Sequence, residues 1–149
     1  MTDTALTFRR NTATRMHIHA HLQACEGRFI PPLGSRVDID AYARKIADHA
    51  ASFEAWDGKH LVGLVAAYMN DRAARCGHVT NVSIASAQEG RGVASLLMGM
   101  CLEAAKESGM SAMTIEVSVD NPRSLDLCRR FGFGEPIRNG GNVLLRLPL

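Results

Sequence analysis

Apolar positions change their spacing several times along the 149 residues, and the changes mark out the elements. Thr4 to Arg9 alternates weakly and reads as a first strand. Thr12 to Glu26 reads as a helix, with Asn11 or Thr12 as its cap. Arg28 to Arg36 contains Pro31, Pro32 and Gly34 and must be a loop. Asp38 then caps a helix in which Ile39, Tyr42, Ala43, Ile46 and Ala47 form an apolar stripe at helical spacing. Ser52 to Trp56 and Leu61 to Tyr68 read as strands flanking Asp57-Gly58-Lys59. Asp-Gly suits a type I′ turn, whose two central residues both need positive φ. A polar loop, Asn70 to Gly77, leads into another alternating strand, His78 to Ala85.

Beyond a Gly-rich stretch, Val93, Leu96, Leu97, Met100, Cys101 and Ala104 recur at three- and four-residue steps. That spacing predicts an amphipathic helix packed on a sheet, ended by Gly109. Met113 to Val119 is a strand rich in β-branched residues. Asn121-Pro122 opens a last helix, with Pro in a tolerated first-turn position, running to about Phe131 and stopping at Gly132. Phe133 to Arg138 and Asn142 to Leu147 pair across Asn139-Gly140-Gly141. The order is strand, two helices, three strands, helix, strand, helix, two strands. This is a mixed α/β (α+β) chain, read as one domain over residues 1–149 with no internal repeat or linker.

Composition narrows the partners. Hydrophobic residues make up 46% and charged residues 21%, ordinary for a globular protein. The net charge is +2, with 17 basic and 15 acidic side chains spread evenly along the chain, so nothing marks a nucleic-acid surface. No apolar run approaches bilayer length, so no membrane partner is expected. Cys25, Cys76, Cys101 and Cys128 form no Cys-x-x-Cys pair, and the N-terminal stretch lacks an apolar signal core. These features read as reduced thiols in a cytoplasmic protein.

Candidate chemistry centres on Glu89-Gly-Arg-Gly-Val-Ala-Ser-Leu-Leu97, a Gly-rich turn between a strand and a helix. The first N–H groups of a helix have no intrahelical partner, and the helix dipole adds positive charge there. Gly90 and Gly92 let backbone approach a phosphate closely, and Arg91 offers a charge-assisted bond. A diphosphate is the natural guest. A Walker loop is excluded by the lack of Gly-Lys-Ser/Thr. A dinucleotide fingerprint is disfavoured because Ser95 replaces the third glycine. No Gly-x-Ser-x-Gly elbow supports a serine hydrolase.

Taken with Thr114-Ile-Glu-Val-Ser-Val-Asp-Asn-Pro-Arg-Ser-Leu-Asp-Leu-Cys-Arg-Arg-Phe-Gly-Phe133, this stretch resembles the GNAT superfamily of N-acetyltransferases. Glu89-x-x-Gly92-x-Ala94 is similar to the family's Arg/Gln-x-x-Gly-x-Gly/Ala signature. Asn121, Ser124, Leu127, Gly132 and Phe133 are similar to its strand–Asn–helix–Gly-Phe ending. The resemblance implies a central mixed, mostly antiparallel sheet of six to seven strands flanked by four helices. It implies acetyl-CoA as co-substrate and transfer of its acetyl group to a primary amine. Carried over residue by residue, Val82, Ser83 and Ile84 meet the pantetheine arm and thioester, and Gly90, Arg91, Gly92, Val93, Ala94 and Ser95 hold the diphosphate. Asn121 bonds an amide of the arm, and the N–H of Ile84 or its neighbour polarises the thioester carbonyl. Glu89 departs from the family pattern by placing a carboxylate beside the diphosphate. Cys128 stands where many members carry a Tyr acid. His78 matches the position of a base, and Glu116 is a second candidate base acting through water.

Other clusters have plainer readings. His17, His21 and Cys25 share one helix face at a spacing that can bind zinc, but no fourth ligand is evident, and no metal is expected. By analogy these histidines, with Phe29, Tyr42 and Trp56, are candidate acceptor contacts, while Arg129 and Arg130 either reach coenzyme A phosphates or form a solvated helix face. The acceptor is expected to be a small-molecule or peptide amine, and the final hairpin offers a possible homodimer contact. A non-catalytic acyl-CoA-binding or sensor module is the alternative, motivated by Glu89 and Cys128.

Overall fold

A computed structural model describes residues 5–149. The strands are β1 (Thr7–Arg10), β2 (Ala51–Asp57), β3 (His60–Tyr68), β4 (Cys76–Ile84), β5 (Ala112–Ser118), β6 (Gly134–Asn139) and β7 (Asn142–Pro148). The helices are α1 (Arg15–Cys25), α2 (Ile39–His49), α3 (Val93–Glu107) and α4 (Pro122–Arg130). Their order along the chain is the expected one. All seven strands form one sheet in the order β1-β2-β3-β4-β5-β7-β6. Every neighbouring pair is antiparallel except β4 and β5, which run parallel.

The sheet is covered on both faces. Ile18 and Leu22 of α1 and Ile46 of α2 pack with Trp56, Leu64 and Ala66 on one side. Leu97, Met98 and Cys101 of α3 and Cys128 of α4 pack with Phe53, Val65 and Met113 on the other. Successive side chains of a strand point to opposite faces. A strand covered twice is therefore apolar throughout, which explains the unbroken run from Leu61 to Ala67.

Three local features differ from the sequence reading. The described part of the first strand is Thr7–Arg10, and Thr4 lies outside the described residues. Helix α1 starts at Arg15 with Thr14 as its cap, in a box with His17, rather than with Asn11 or Thr12. The reason is that residues 11 to 13 are tied to β2. Asn11 adopts a φ of 58° and exchanges bonds with Ser52, and Thr12 and Ala13 donate to Glu54. The β2–β3 turn has Gly58 and Lys59 as its central residues, with positive φ at Gly58 alone. That is the demand of a type II′ turn rather than type I′.

Candidate active site

The site begins where the sheet opens. Pairing of β4 with β5 runs only from Cys76↔Ala112 to Val79↔Ile115. Beyond it β5 stays with β7 while β4 stays with β3, so two parallel neighbours diverge. The divergence starts at an irregularity. Ala66 opposes Asn81 and Ala67 opposes Val79, leaving Thr80 as an extra residue on β4. Such a bulge bends its strand. Tyr42 on α2 holds it there, donating to the Thr80 carbonyl at 2.6 Å and lying 2.8 Å from its hydroxyl.

A cleft of about 980 Å³ fills the opening, bounded by the 27–37 segment, β4, the Gly-rich turn, β5 and the start of α4. Its backbone walls carry free hydrogen-bonding groups. Ala85 N–H donates to Val62 of β3. Alternation along an antiparallel ladder therefore turns Ser83 toward β3 and the N–H and C=O of Val82 and Ile84 toward the gap.

At one end of the cleft lies the turn into α3. Gly90 and Gly92 have φ of 76° and 74°, and Gly92 is the helix cap with no side chain capping it. No amide N–H from Gly90 to Ser95 donates to another group among the described residues. A Cβ added at Gly90 or Gly92 would meet nothing within 4 Å, so the space over these donors is open. Free donors, a helix dipole and open space suit an anion. Arg91 turns its guanidinium away, donating to Gln88 Oε1 at 2.6 Å, so its contribution is the backbone N–H. Glu89 is neutralised. Its carboxylate pairs with Arg28 and, at 2.7 Å, with Arg123. These partners come from distant segments, and no local pattern announced them. Asn121 lines the cleft and caps α4 by accepting from Ser124 N–H at 3.2 Å, which leaves its Nδ2 donors without a partner among the described residues.

The opposite face of β4 and β5 carries the titratable groups. His78 and Glu116 both line the cleft. His78 Nδ1 lies 2.8 Å from Thr114 Oγ1. Partial burial pulls its pKa below 6.5, and the Glu116 charge opposes that only in part. Glu116 is exposed and accepts from Asn139 Nδ2 at 2.8 Å. Cys128 is placed differently. It is 0% exposed, packs in the core against α3, does not line the cleft, and burial pushes its thiol up to about 11.

The histidine face of α1 is divided. His17 closes the α1 capping box and meets Trp56 edge-on. His21 points inward, with Nδ1 at 3.1 Å from the Leu61 carbonyl and Nε2 at 2.9 Å from Ser83 Oγ. Ser83 Oγ also lies 2.7 Å from Asn81 Oδ1. The sequence expectation puts His21 at the acceptor and Ser83 on the pantetheine arm, whereas their side chains meet each other in the interior. Asn81, two residues from Ser83 on the same strand, had no expected role. Among the described residues no group of three His, Cys, Asp or Glu side chains is arranged to hold a metal. Trp56 and Phe53 are core residues, while Phe29 and Tyr42 do border the cleft. Arg130 borders it as well and pairs with Asp126 at 3.2 Å.

Burial pushes the His21 pKa down to about 4, with its bonds to Ser83 and Leu61 opposing only partly. It stays neutral in the fold at pH 7. The unfolded chain binds a proton near pH 6.5 that the folded chain refuses until about 4. Stability is therefore complete above that window and falls as pH drops through it. Urea unfolding between pH 7 and 4 should show this loss, and His21→Gln should flatten it.

Among the described residues no helix is long and apolar enough to cross a membrane. No curated protein matches the sequence. Solved structures match over nearly the whole chain at low identity. PaiA N-acetyltransferase from Thermoplasma acidophilum, in complex with coenzyme A, has a TM-score of 0.76 and 10% identity, covering 97% of this chain and 99% of that one. The ribosomal-protein-S18-alanine N-acetyltransferase from Escherichia coli has a TM-score of 0.74 and 16% identity, covering 97% and 94%. A Bacillus subtilis acetyltransferase in complex with CoA has a TM-score of 0.70 and 17% identity, covering 97% and 99%. At these identities the likeness is one of fold. The model of the acetyltransferase (GNAT) family matches residues 16–133, which contain the opened strand pair and the Gly-rich turn, and the chain belongs to that family.

Proposed function

We propose that this chain transfers the acetyl group of acetyl-CoA directly to a primary amine. The observation that carries the reading is the row of unpartnered N–H groups from Gly90 to Ser95 at the end of a cleft between diverging strands. When bound, acetyl-CoA supplies an acetyl group activated as a thioester.

The residues act as follows. The N–H groups of Gly90 to Ser95 hold the diphosphate. Val82 and Ile84 pair with the pantetheine arm through their gap-facing backbone, as an added strand would. Asn121 Nδ2 donates to an amide of that arm. The Ile84 N–H donates to the acetyl oxygen as negative charge develops on it. His78, neutral at pH 7 because its pKa lies below 6.5, accepts the amine proton. Glu116 favours the protonated imidazole that results. Cys128, closed off from the cleft, is assigned to packing rather than to proton donation.

Binding and turnover test this together. Saturating acetyl-CoA at about a hundred times Kd adds roughly 2.7 kcal/mol of stability. For a chain of this size that raises Tm by about 5–10 °C. Coenzyme A release with an amine present should lose activity on the acid side at a pH below 6.5. His78→Ala should lower kcat/KM about a hundredfold and remove that limb. No thermal shift with acetyl-CoA defeats the reading. A shift without turnover of any amine leaves the acyl-CoA-binding module in its place.

A further inference from the structure

The charges lining the cleft do not cancel at random. Arg28 and Arg123 share the Glu89 carboxylate, and Arg130 pairs with Asp126. Two charges lining the cleft remain without an opposite partner among the described residues. One is cationic, Arg36, and the other is anionic, Glu116, whose contact is the neutral Asn139 amide. Arg36 follows the 3-10 turn Leu33–Ser35 and is close enough to Tyr42 for its charge to act on that hydroxyl. Glu116 stands on β5 two residues beyond Thr114, which holds His78. Apolar side chains lie beside Arg36. Ile30 and Val37 are 44% and 36% exposed, and both line the cleft with Phe29.

A cleft with one free carboxylate, one free cation and an apolar wall beside that cation fits a zwitterion. A polyamine would find Arg36 repulsive, and a simple alkylamine would leave it unpaired. We propose that the acceptor is a small amino acid with an apolar side chain. Arg36 holds its carboxylate, Glu116 faces its ammonium beside His78, and Phe29, Ile30 and Val37 cover its side chain. This rests on the acetyltransferase reading above. The reaction breaks the thioester C–S bond and forms an amide C–N bond. Of the two protons the ammonium loses, one goes to the departing sulfur and the other leaves through His78 to solvent.

Matched acceptors separate the contributions. Leucine and phenylalanine are compared with leucinamide and phenylalaninamide, and with isoamylamine and phenethylamine, in a coenzyme A release assay. An Arg–carboxylate fork is among the stronger charge-assisted contacts, so the amino acids should exceed their amides and plain amines by at least tenfold in kcat/KM. Arg36→Gln should raise KM for the amino acids about tenfold or more and leave the amides and amines unchanged. Arg36 is exposed, so the variant keeps its fold, which its melting temperature checks. In the protein loaded with coenzyme A, N-acetylleucine should bind by calorimetry and weaken by a similar factor in Arg36→Gln. Equal turnover of amides and amino acids overturns the proposal, as does an Arg36→Gln loss shared by all acceptors. So does turnover of none of the six by protein that binds acetyl-CoA. Failure to bind acetyl-CoA at all overturns the acetyltransferase reading itself.

Discussion

Replacing Glu54 by alanine lowers the folding free energy by about 3–5 kcal/mol, the cost expected when a buried charge network loses its acceptor. Glu54 is 0% exposed and sits mid-strand on β2. Its two oxygens accept from five donors: Thr12 N–H, Thr12 Oγ1, Ala13 N–H, Ser52 Oγ and Trp56 Nε1. Alanine would leave the buried Ser52 and Trp56 donors without an acceptor and release residues 12 and 13, which set where α1 begins. The helix that carries His21 under Ser83 would lose its anchor. Burial alone would raise the Glu54 pKa, but the donors outweigh it and hold it below 4.5. A depressed folded value stabilises the protein above the unfolded pKa, and the benefit disappears as pH falls through the folded one. Glu54→Ala should therefore remove the part of acid unfolding that lies below about pH 4.5. The His21 loss, at higher pH, should survive in it. Urea titrations at pH 7, at about pH 4.5 and at about pH 3 check both. A penalty below about 1 kcal/mol at pH 7 would contradict the anchoring role.

Gly92→Val weakens acetyl-CoA binding about a hundredfold, or roughly 2.7 kcal/mol. Two effects combine. A β-branched residue at a φ of 74° is strained, so the turn relaxes and the row of N–H groups no longer converges. The new side chain also occupies the open space above the cap, where a Cβ meets no protein atom within 4 Å. Gly140→Val is the control. Gly140 has a φ of 61° and equally open surroundings, but it lies in the β6–β7 turn and does not border the cleft. Both variants should lose a few degrees of Tm from backbone strain, and Gly92→Val alone should lose affinity. Calorimetry on the three proteins decides it. Equal affinities would mean that the turn does not hold the ligand.

Local signals made most of the architecture legible. The apolar stripe of α2 and the β-branched β5 follow from spacing alone, and the Gly-rich turn into α3 from composition. What stayed hidden depends on residues far apart in sequence. Arg28 meets Glu89 across 61 positions, and Glu54 meets Thr12 across 42. No periodicity encodes such pairings, so the start of α1 and the neutralisation of Glu89 became visible only in three dimensions. The β4 bulge was hidden for a related reason. Thr80 is an ordinary strand residue until Tyr42, 38 positions away, takes its carbonyl. Cys128 shows the opposite limit. Its place in the motif pointed at the site, but motif position does not determine which face of α4 a side chain takes, and Cys128 takes the core face.

The most direct test follows individual amide signals by NMR as coenzyme A is added to the ¹⁵N-labelled protein. Gly90 to Ser95 should show the largest shifts, moving downfield as their hydrogens meet phosphate oxygens, with Val82 and Ile84 next as the arm enters the gap. Saturation with those signals unmoved, or with the largest changes elsewhere, would show that the ligand sits in some other place.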